Sequence, residues 1–142
     1  MTSGEAGEVQ QLSVPLLRDQ ERVMCALSWQ MKPDRTYSIH LDGPDGPLAR
    51  TGNDLFQALQ QIRQELESGG WLIAVQGARK DAYPTGMVRD MIGARRVYIL
   101  RAGQQAEREH LVDIFAEAAA DSLGTVEQQT NYYREWRLSL KR

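Results

Sequence analysis

Residues 53 to 68 carry the feature that most constrains the fold of this chain. Their large apolar side chains recur at spacings of four, three and four residues and therefore share one face of an α-helix: Leu55, Leu59, Ile62 and Leu66. Thr51 or Asn53 can cap the start of this helix. Gly69 and Gly70 can end it, since glycine accepts the left-handed backbone of a helix C-terminus. A helix with one apolar stripe has to bury that stripe against a second layer, so the flanking segments are expected to supply a sheet.

Patterns typical of β-strands occur in the sequence both before and after this helix. Residues 35–41 alternate Tyr, Ile and Leu with Thr, Ser and His, which is the period of a half-buried strand, and they follow the apolar residues 21–31 across the turn residues "KPDR". A hairpin is therefore predicted there, with a short third strand at "LAR" after "DGPDGP". The segment "LSVPLL" contains Pro15, which predicts an edge strand or an extended arm. Residues 71–76 and 95–101 are predicted as further strands.

The C-terminal part of the chain is predicted to be helical. Leu111, Phe115 and Ala118 suggest one helix over residues 106–122, and Thr125 with Gln128 has the spacing of a capping box for a second. The resulting order predicts an α+β fold with a mainly antiparallel four- to five-stranded sheet and two to three helices packed on one face. Residues 1–11 are rich in Gly, Glu and Gln and are predicted to be a flexible tail, with residues 12–142 forming a single domain.

Composition narrows the classes of function. The formal net charge is −2, from 17 basic and 19 acidic residues, which argues against a nucleic-acid partner because such proteins usually carry a basic excess. The polar, acidic N-terminus lacks the basic start and apolar core of a secretion signal, so a cytoplasmic location without membrane contact is expected. The single cysteine, Cys25, lies in an apolar run and is expected to be a buried structural thiol.

No residue set that carries chemistry is evident. His40, His110 and Cys25 are not at ligand spacing, so no metal site is expected. Asp42 and Asp45 fit a turn and not a calcium loop. Phosphate-binding and nucleophile motifs are missing from the sequence. The sequence therefore predicts a protein that is not an enzyme and needs no cofactor.

The segment "GARKDAYPTGMVRDMIGARRVYIL" (77–100) has no clear period and is too long for an ordinary connection. Residues 77–101 hold six basic and two acidic side chains, whereas residues 102–123 hold one basic and five acidic. One interpretation is that the basic segment packs against the acidic one inside the domain. The other is a recognition element, pinned by Tyr83, Pro84, Met87 and Met91, that presents its charged side chains to a partner. The second interpretation gives these candidate partner-binding residues: Arg79, Lys80, Asp81, Tyr83, Met87, Arg89, Asp90 and Arg95.

This segment, followed by "LVDIF" and "TVEQQTNYYREWRLSL", resembles a family of small bacterial cytoplasmic proteins. Their shared block reads Gly-Ala-x-(Arg/Lys/Asn)-x-(Val/Ala)-(Tyr/Trp)-Pro-(Ser/Thr)-x-Met-x-Arg-x-Met, and the similarity covers roughly residues 55 to 140. The family resembles immunity-type proteins that accompany interbacterial toxins, including the large Rhs-type toxins. The chain departs from the pattern after the second Met, where "IGARR" replaces a more glycine-rich stretch. The resemblance implies a non-enzymatic protein that binds and neutralises a cognate toxin domain.

Three alternatives stay open at this level. The arginines and aspartates of residues 77–96 could bind a small anionic ligand, as part of a binding protein or an enzyme. The aromatic face of residues 132–140 could support self-association. Acidic side chains could equally dock a basic partner: Asp42, Asp45, Glu107, Glu109 and Asp113.

Overall fold

Residues 7–141 of the chain are described by a computed structural model, and residues 1–6 and 142 lie outside it. Five strands form an antiparallel sheet in the order β4-β3-β2-β1-β5: β1 (Gln10–Arg18), β2 (Glu21–Met31), β3 (Tyr37–Gly43), β4 (Gly46–Gly52) and β5 (Leu72–Ile73). A second antiparallel sheet has the order β6-β7-β8: β6 (Ala82–Tyr83), β7 (Arg96–Ile99) and β8 (Leu111–Asp113). Three α-helices complete the domain: α1 (Leu55–Ser68), α2 (Gly86–Ile92) and α3 (Val126–Ser139). The α+β prediction is confirmed, and the three-stranded sheet is an addition to it.

Helix α1 covers the inner face of the large sheet. All four residues of the predicted stripe are buried against inward-facing strand residues: Val14, Leu16, Leu27, Ile39 and Leu41. Each such side chain contributes about 1.5–3 kcal/mol by leaving water. The N-cap is Asp54, whose Oδ1 accepts a hydrogen bond from the Gln57 backbone N–H at 2.8 Å, and not Thr51 or Asn53. Gly69 ends the helix as predicted.

Strand β1 lies inside the sheet and not at its edge. It pairs with β2 along its whole length and with β5 at Leu16 and Leu17. The proline is tolerated because its carbonyl accepts a hydrogen bond from the Ala74 N–H on the β5 side, so the missing donor faces the short partner. The predicted flexible tail overlaps this strand, since Gln10 and Gln11 already pair with β2. The first six residues of that predicted tail lie outside the described residues.

Strand β4 forms one edge of the large sheet. Arg50 Nη1 donates to the Ala49 carbonyl at 2.7 Å, and Gln61 Nε2 of helix α1 donates to the Thr51 carbonyl at 3.1 Å. Pro47 has no backbone N–H to offer at the same edge. Side chains of the domain itself thus occupy edge groups that another strand would need.

The predicted helix over residues 106–122 is wrong. Residues 108–110 form a single 3₁₀ turn, and the next three residues pair with β7 as strand β8. Asp113 Oδ1 then accepts the Phe115 backbone N–H at 2.8 Å, a local bond that competes with helical bonding. The carbonyls of Ile114 and Ala116 accept from Gly77 and Gln76, respectively, so tertiary pairing replaces intrahelical bonds.

The two strands predicted after α1 are shorter than expected. Within residues 71–76 only Leu72–Ile73 is a strand, because Val75 bridges to Glu117 and residues 76–78 turn as a 3₁₀ helix. Within residues 95–101 the strand is Arg96–Ile99. The long connection between them contains β6 and α2, so it is ordered structure and not a structureless loop.

Helix α3 begins with the predicted capping box, in which Thr125 and Gln128 bond reciprocally. A buried polar cluster fixes α3 to α1. Arg63 Nη1 donates to Gln129 Oε1 at 2.6 Å, and Gln129 Nε2 donates to the carbonyls of Gly77 and Arg79. Burial lowers the pKa of Arg63 to about 10, although nearby Glu67 acts in the opposite direction. The guanidinium therefore stays charged at neutral pH and holds its partners.

Candidate functional site

Helix α2 presents its methionines to solvent. Thr85 caps the helix by accepting the Val88 N–H through its side-chain oxygen, and Val88 is its buried residue. Met87 and Met91 lie four residues apart, on one side of the helix. Their exposed fractions are 70% and 75%. The prediction that these methionines pin the segment to the body is therefore wrong, because only Val88 of this helix is buried.

A charged pair holds α2 against the start of α1. Arg89 Nη1 donates to Asp54 Oδ2 at 2.8 Å, while the other carboxylate oxygen caps α1. The Arg89 guanidinium also lies over the rings of Phe56 and Tyr83, at 5.3 and 5.5 Å from their centroids. Arg89 is thus half-buried with its charge paired inside the domain, and its role in partner binding stays a prediction.

The C-terminus of α2 is fixed by close packing. Gly93 has a φ of 63°, and its carbonyl accepts the Leu55 backbone N–H, one of the unpaired donors at the start of α1. A Cβ at Gly93 would collide with the hydroxyl of Tyr37. Ala94, which is fully buried, follows with a φ of 59°, a conformation rare for a residue with a side chain. The helix end is consequently locked between α1 and β3.

An arginine-lined cavity of about 420 Å³ opens beside α2. Three arginines and one carboxylate contribute to its wall: Arg35, Arg89, Arg95 and Asp90. Arg35 has a φ of 71° in the β2–β3 turn, where Asp34 Oδ1 accepts both the backbone N–H and the hydroxyl of Thr36. Because Arg89 is already paired with Asp54, the charge facing the cavity comes from Arg35 and Arg95 against Asp90.

A second cavity of about 450 Å³ adjoins the first, and Met31 and Arg95 line both. Its apolar wall includes Trp29 and Phe115, whose ring centroids are 6.5 Å apart. The Arg95 guanidinium lies over the Trp29 ring at 5.2 Å from the centroid. Arg95 therefore stands at the junction of a basic cavity and an aromatic one.

Tyr83 packs against other aromatic rings of the domain, as predicted for an anchor of this segment. Its ring stacks on Tyr133 with centroids 3.8 Å apart and meets Phe56 edge-on at 4.8 Å. Pro84 is buried next to it. These contacts fix the segment that leads into α2.

The structure places Arg79, Lys80 and Asp81 apart from the α2 cluster, beside the start of α3. Arg79 forms a two-pronged pair with Asp81, at 2.9 and 3.0 Å. The Lys80 side chain is exposed, and its backbone N–H donates to the Ser122 carbonyl. Only five of the eight candidate residues lie on or near α2: Tyr83, Met87, Arg89, Asp90 and Arg95.

The interpretation that the basic segment packs against the acidic one inside the domain is confirmed for the backbone, because β7 pairs with β8 and Gly77 and Lys80 donate to the carbonyls of Ile114 and Ser122. Within residues 7–141, however, no ion pair joins the two segments. The pairs formed by the basic segment are Arg79–Asp81 and Arg89–Asp54. Glu117 of the acidic segment pairs instead with Arg22 of strand β2.

The aromatic face of α3 is occupied inside the domain. Tyr132 donates its hydroxyl hydrogen bond to the Leu100 carbonyl at 2.8 Å, and Trp136 Nε1 donates to the Gln104 carbonyl at 2.8 Å. Burial, followed by the nearby charge of Asp81, raises the pKa of Tyr132. The polar groups of both side chains are therefore already paired within the domain.

On the outer face of the large sheet, Ser28 of β2 lies opposite His40 of β3, and Asp42 follows two residues further along β3. These three described side chains form no hydrogen bonds with one another in the structure, so the nucleophile–base contact of a hydrolytic site is not formed. Cys25 is buried as predicted, and burial raises the pKa of its thiol, which disfavours the reactive thiolate. Residues 7–141 contain no group of three or more His, Cys, Asp or Glu side chains placed to hold a metal ion.

Five residues that shape the α2 region were not recognised in the sequence: Arg35, Asp54, Trp29, Phe115 and Gly93. The sequence did contain a signal for Gly93. Thr85 is a typical N-cap residue and Gly93 a typical C-terminal stop, and the two enclose the seven residues of the helix. The others come from distant parts of the chain, and no local pattern connects them.

Neither protein-family models nor curated protein sequences match this chain. No α-helix within residues 7–141 has the length and apolar character needed to cross a bilayer.

Proposed function

We propose that this chain is a non-enzymatic immunity-type protein that binds and neutralises a cognate bacterial toxin domain, with helix α2 at the centre of the contact. The observation that carries the proposal is the apolar surface of α2. Six large apolar side chains are exposed within residues 7–141, and half of them belong to this seven-residue helix: Met87, Met91 and Ile92. Such clustering favours a protein interaction surface, and methionine adapts well to a partner's shape.

The rigidity of α2 supports this role. A short helix with one buried residue would be marginal alone, but Asp54 holds α2 through Arg89, and Leu55 and Tyr37 hold its C-terminal end. A surface that is ordered before binding loses less conformational entropy when the partner docks. The anchoring therefore favours tight association.

Charge around the helix suggests the character of the partner surface. Arg35 and Arg95 are exposed near α2, with Asp90 as the nearby carboxylate. Complementary charge speeds encounter and excludes wrong partners. A partner with acidic groups opposite these arginines fits best.

The neutralising role itself comes from the family resemblance of residues 55–140. A protein of this kind needs a stable scaffold and a specific surface, and it performs no chemistry. A gene for a toxin with a variable C-terminal domain next to the gene for this chain would supply the partner to test.

The decisive experiment co-expresses that toxin domain with this chain and measures growth. The double substitution Met87→Gln with Met91→Gln keeps side-chain length but places polar groups in the contact, so we expect loss of protection and at least about tenfold weaker binding by calorimetry. Leu138→Gln is the matched control, since Leu138 is also a half-exposed apolar residue on a helix. Full protection by the methionine variant would remove α2 from the interface.

A second candidate is a binding protein for a small anionic ligand, favoured by the cavity beside Arg35, Arg89 and Arg95. Met87 does not line that cavity. Met87→Gln alone separates the two functions, because it weakens docking of a protein onto α2 and leaves the affinity of a cavity ligand unchanged.

A further inference from the structure

We infer that the partner contributes an extended segment that places a carboxylate in the arginine-lined cavity and an aromatic side chain in the adjoining cavity over Trp29. This inference rests on the proposed function and names the chemistry of the docking segment. Its starting point is that Met31 and Arg95 line both cavities, so the two are adjacent and together are called the groove here. Each cavity has the volume of a site for a ligand-sized group.

The basic end of the groove selects a carboxylate. Arg35 and Arg95 form no salt bridge with any residue from 7 to 141, whereas Arg89 is engaged by Asp54. A guanidinium presents parallel N–H donors that match the two oxygens of a carboxylate. The Asn53 side chain also lines this end and can add a neutral hydrogen bond.

The aromatic end selects a flat apolar group. Trp29 and Phe115 line it together with Leu12 and Ile114. This cavity of about 450 Å³ is large enough for a further ring to pack against the same apolar wall, and ring pairs are favourable beyond their area.

The distribution of charge sets the direction of the segment. Glu8 and Asp113 line the aromatic end, and they repel a second carboxylate there. An acidic residue is therefore accepted at the α2 end and an uncharged aromatic residue at the other. A small anion would fill only one of these two environments, which is why a protein segment is the occupant that fits.

The test uses synthetic peptides and the isotope-labelled full chain. The probe is the acetylated and amidated peptide Ala-Glu-Glu-Ala-Trp-Ala, with Ala-Gln-Gln-Ala-Trp-Ala and Ala-Glu-Glu-Ala-Ala-Ala as controls. At peptide concentrations of about 1 mM, which suit a fragment of a full interface, we expect NMR shift changes at the Trp29 indole N–H and the Arg95 and Phe115 amides. Each control peptide is expected to bind at least fivefold more weakly.

Variants of the chain complete the test. Arg95→Gln is expected to weaken the probe at least fivefold, and Arg96→Gln is the matched control, because Arg96 is an exposed neighbour that lines neither cavity. Equal binding of the glutamate and glutamine peptides, or no shift changes at the Trp29 end, overturns the inference. If the methionine variants lose toxin protection while the probe fails to bind, the groove assignment falls and the proposed function stands. If the probe binds and those variants still protect, the α2 contact falls instead.

Discussion

The pair Asp54–Arg89 should contribute more to stability than an ordinary surface ion pair. The exposed side-chain fractions are 7% for Asp54 and 28% for Arg89, and the atoms Oδ2 and Nη1 are 2.8 Å apart. Fully exposed pairs give about 0–1 kcal/mol, whereas breaking a fully buried pair costs about 3–5 kcal/mol. Because the arginine keeps partial contact with water, we expect a coupling free energy of about 2 kcal/mol, between those limits.

A double-mutant cycle isolates this coupling. Asp54→Asn removes the charge but retains a side-chain oxygen that can cap α1, and Arg89→Met removes the charge but keeps an apolar side chain near Phe56 and Tyr83. The free energy of unfolding of the native chain, both single variants and the double variant is measured in urea by the fluorescence of the three tryptophans.

The control cycle uses Arg22 and Glu117, which pair at 3.3 Å with exposed side-chain fractions of 49% and 62%. Arg22→Met and Glu117→Gln should couple by less than about 0.5 kcal/mol. A coupling for Asp54 and Arg89 no larger than that of the control would refute the view that this pair holds α2 against α1.

Two further predictions concern the segments that frame the groove. Gly93→Ala should lower the free energy of unfolding by about 2 kcal/mol or more, because the new Cβ is strained on a left-handed backbone and collides with Tyr37. Gly86→Ala, which adds a Cβ in open space at the start of the same helix, should change the free energy of unfolding by less than about 0.5 kcal/mol. Equal effects of the two substitutions in urea unfolding would contradict this packing. The hydrogen bonds from the Thr36 hydroxyl and then its backbone N–H lower the pKa of Asp34, so this carboxylate stabilises the turn above its unfolded pKa and loses that contribution as pH falls through the folded pKa. In Thr36→Val, a carbon-detected NMR titration should show the pKa of Asp34 raised toward its ordinary value, and an unchanged pKa would contradict this cause.

Local patterns predicted the parts of the fold whose hydrogen bonds and packing are local. The alternation in residues 35–41, the stripe on α1 and the capping box at Thr125 all correspond to structure. They succeeded because a helix or hairpin exposes one face to the core and the other to water, which leaves a period in the sequence.

The segment 106–122 shows why other predictions failed. Its apolar spacing matches a helix, but its backbone groups pair with β7 and with residues 74–77, and these long-range bonds decide its conformation. The prediction that the methionines of helix α2 are anchors failed for a different reason. These exposed methionines reverse the usual apolar-inward pattern, so a periodicity search assigns them to the core.

The candidate site could be predicted only in part. The sequence pointed to Met87, Asp90 and Arg95, because they share one unusual segment. It could not place Arg95 on Trp29, since this contact depends on how two distant strands meet. It also could not show that the charge of Arg89 is matched by Asp54, because that pair joins residues 35 positions apart.

Strand β4 has side chains bonded to two of its edge carbonyls, and this limits the ways in which another protein can bind there. A binding mode that adds a strand to a sheet needs free backbone donors and acceptors along the edge. At this edge Arg50 and Gln61 donate hydrogen bonds to the carbonyls of Ala49 and Thr51, respectively, and Pro47 lacks a backbone N–H. A protein that approaches this edge therefore meets mainly side chains and not free backbone groups, so a contact with β4 would depend on which residues occupy the strand.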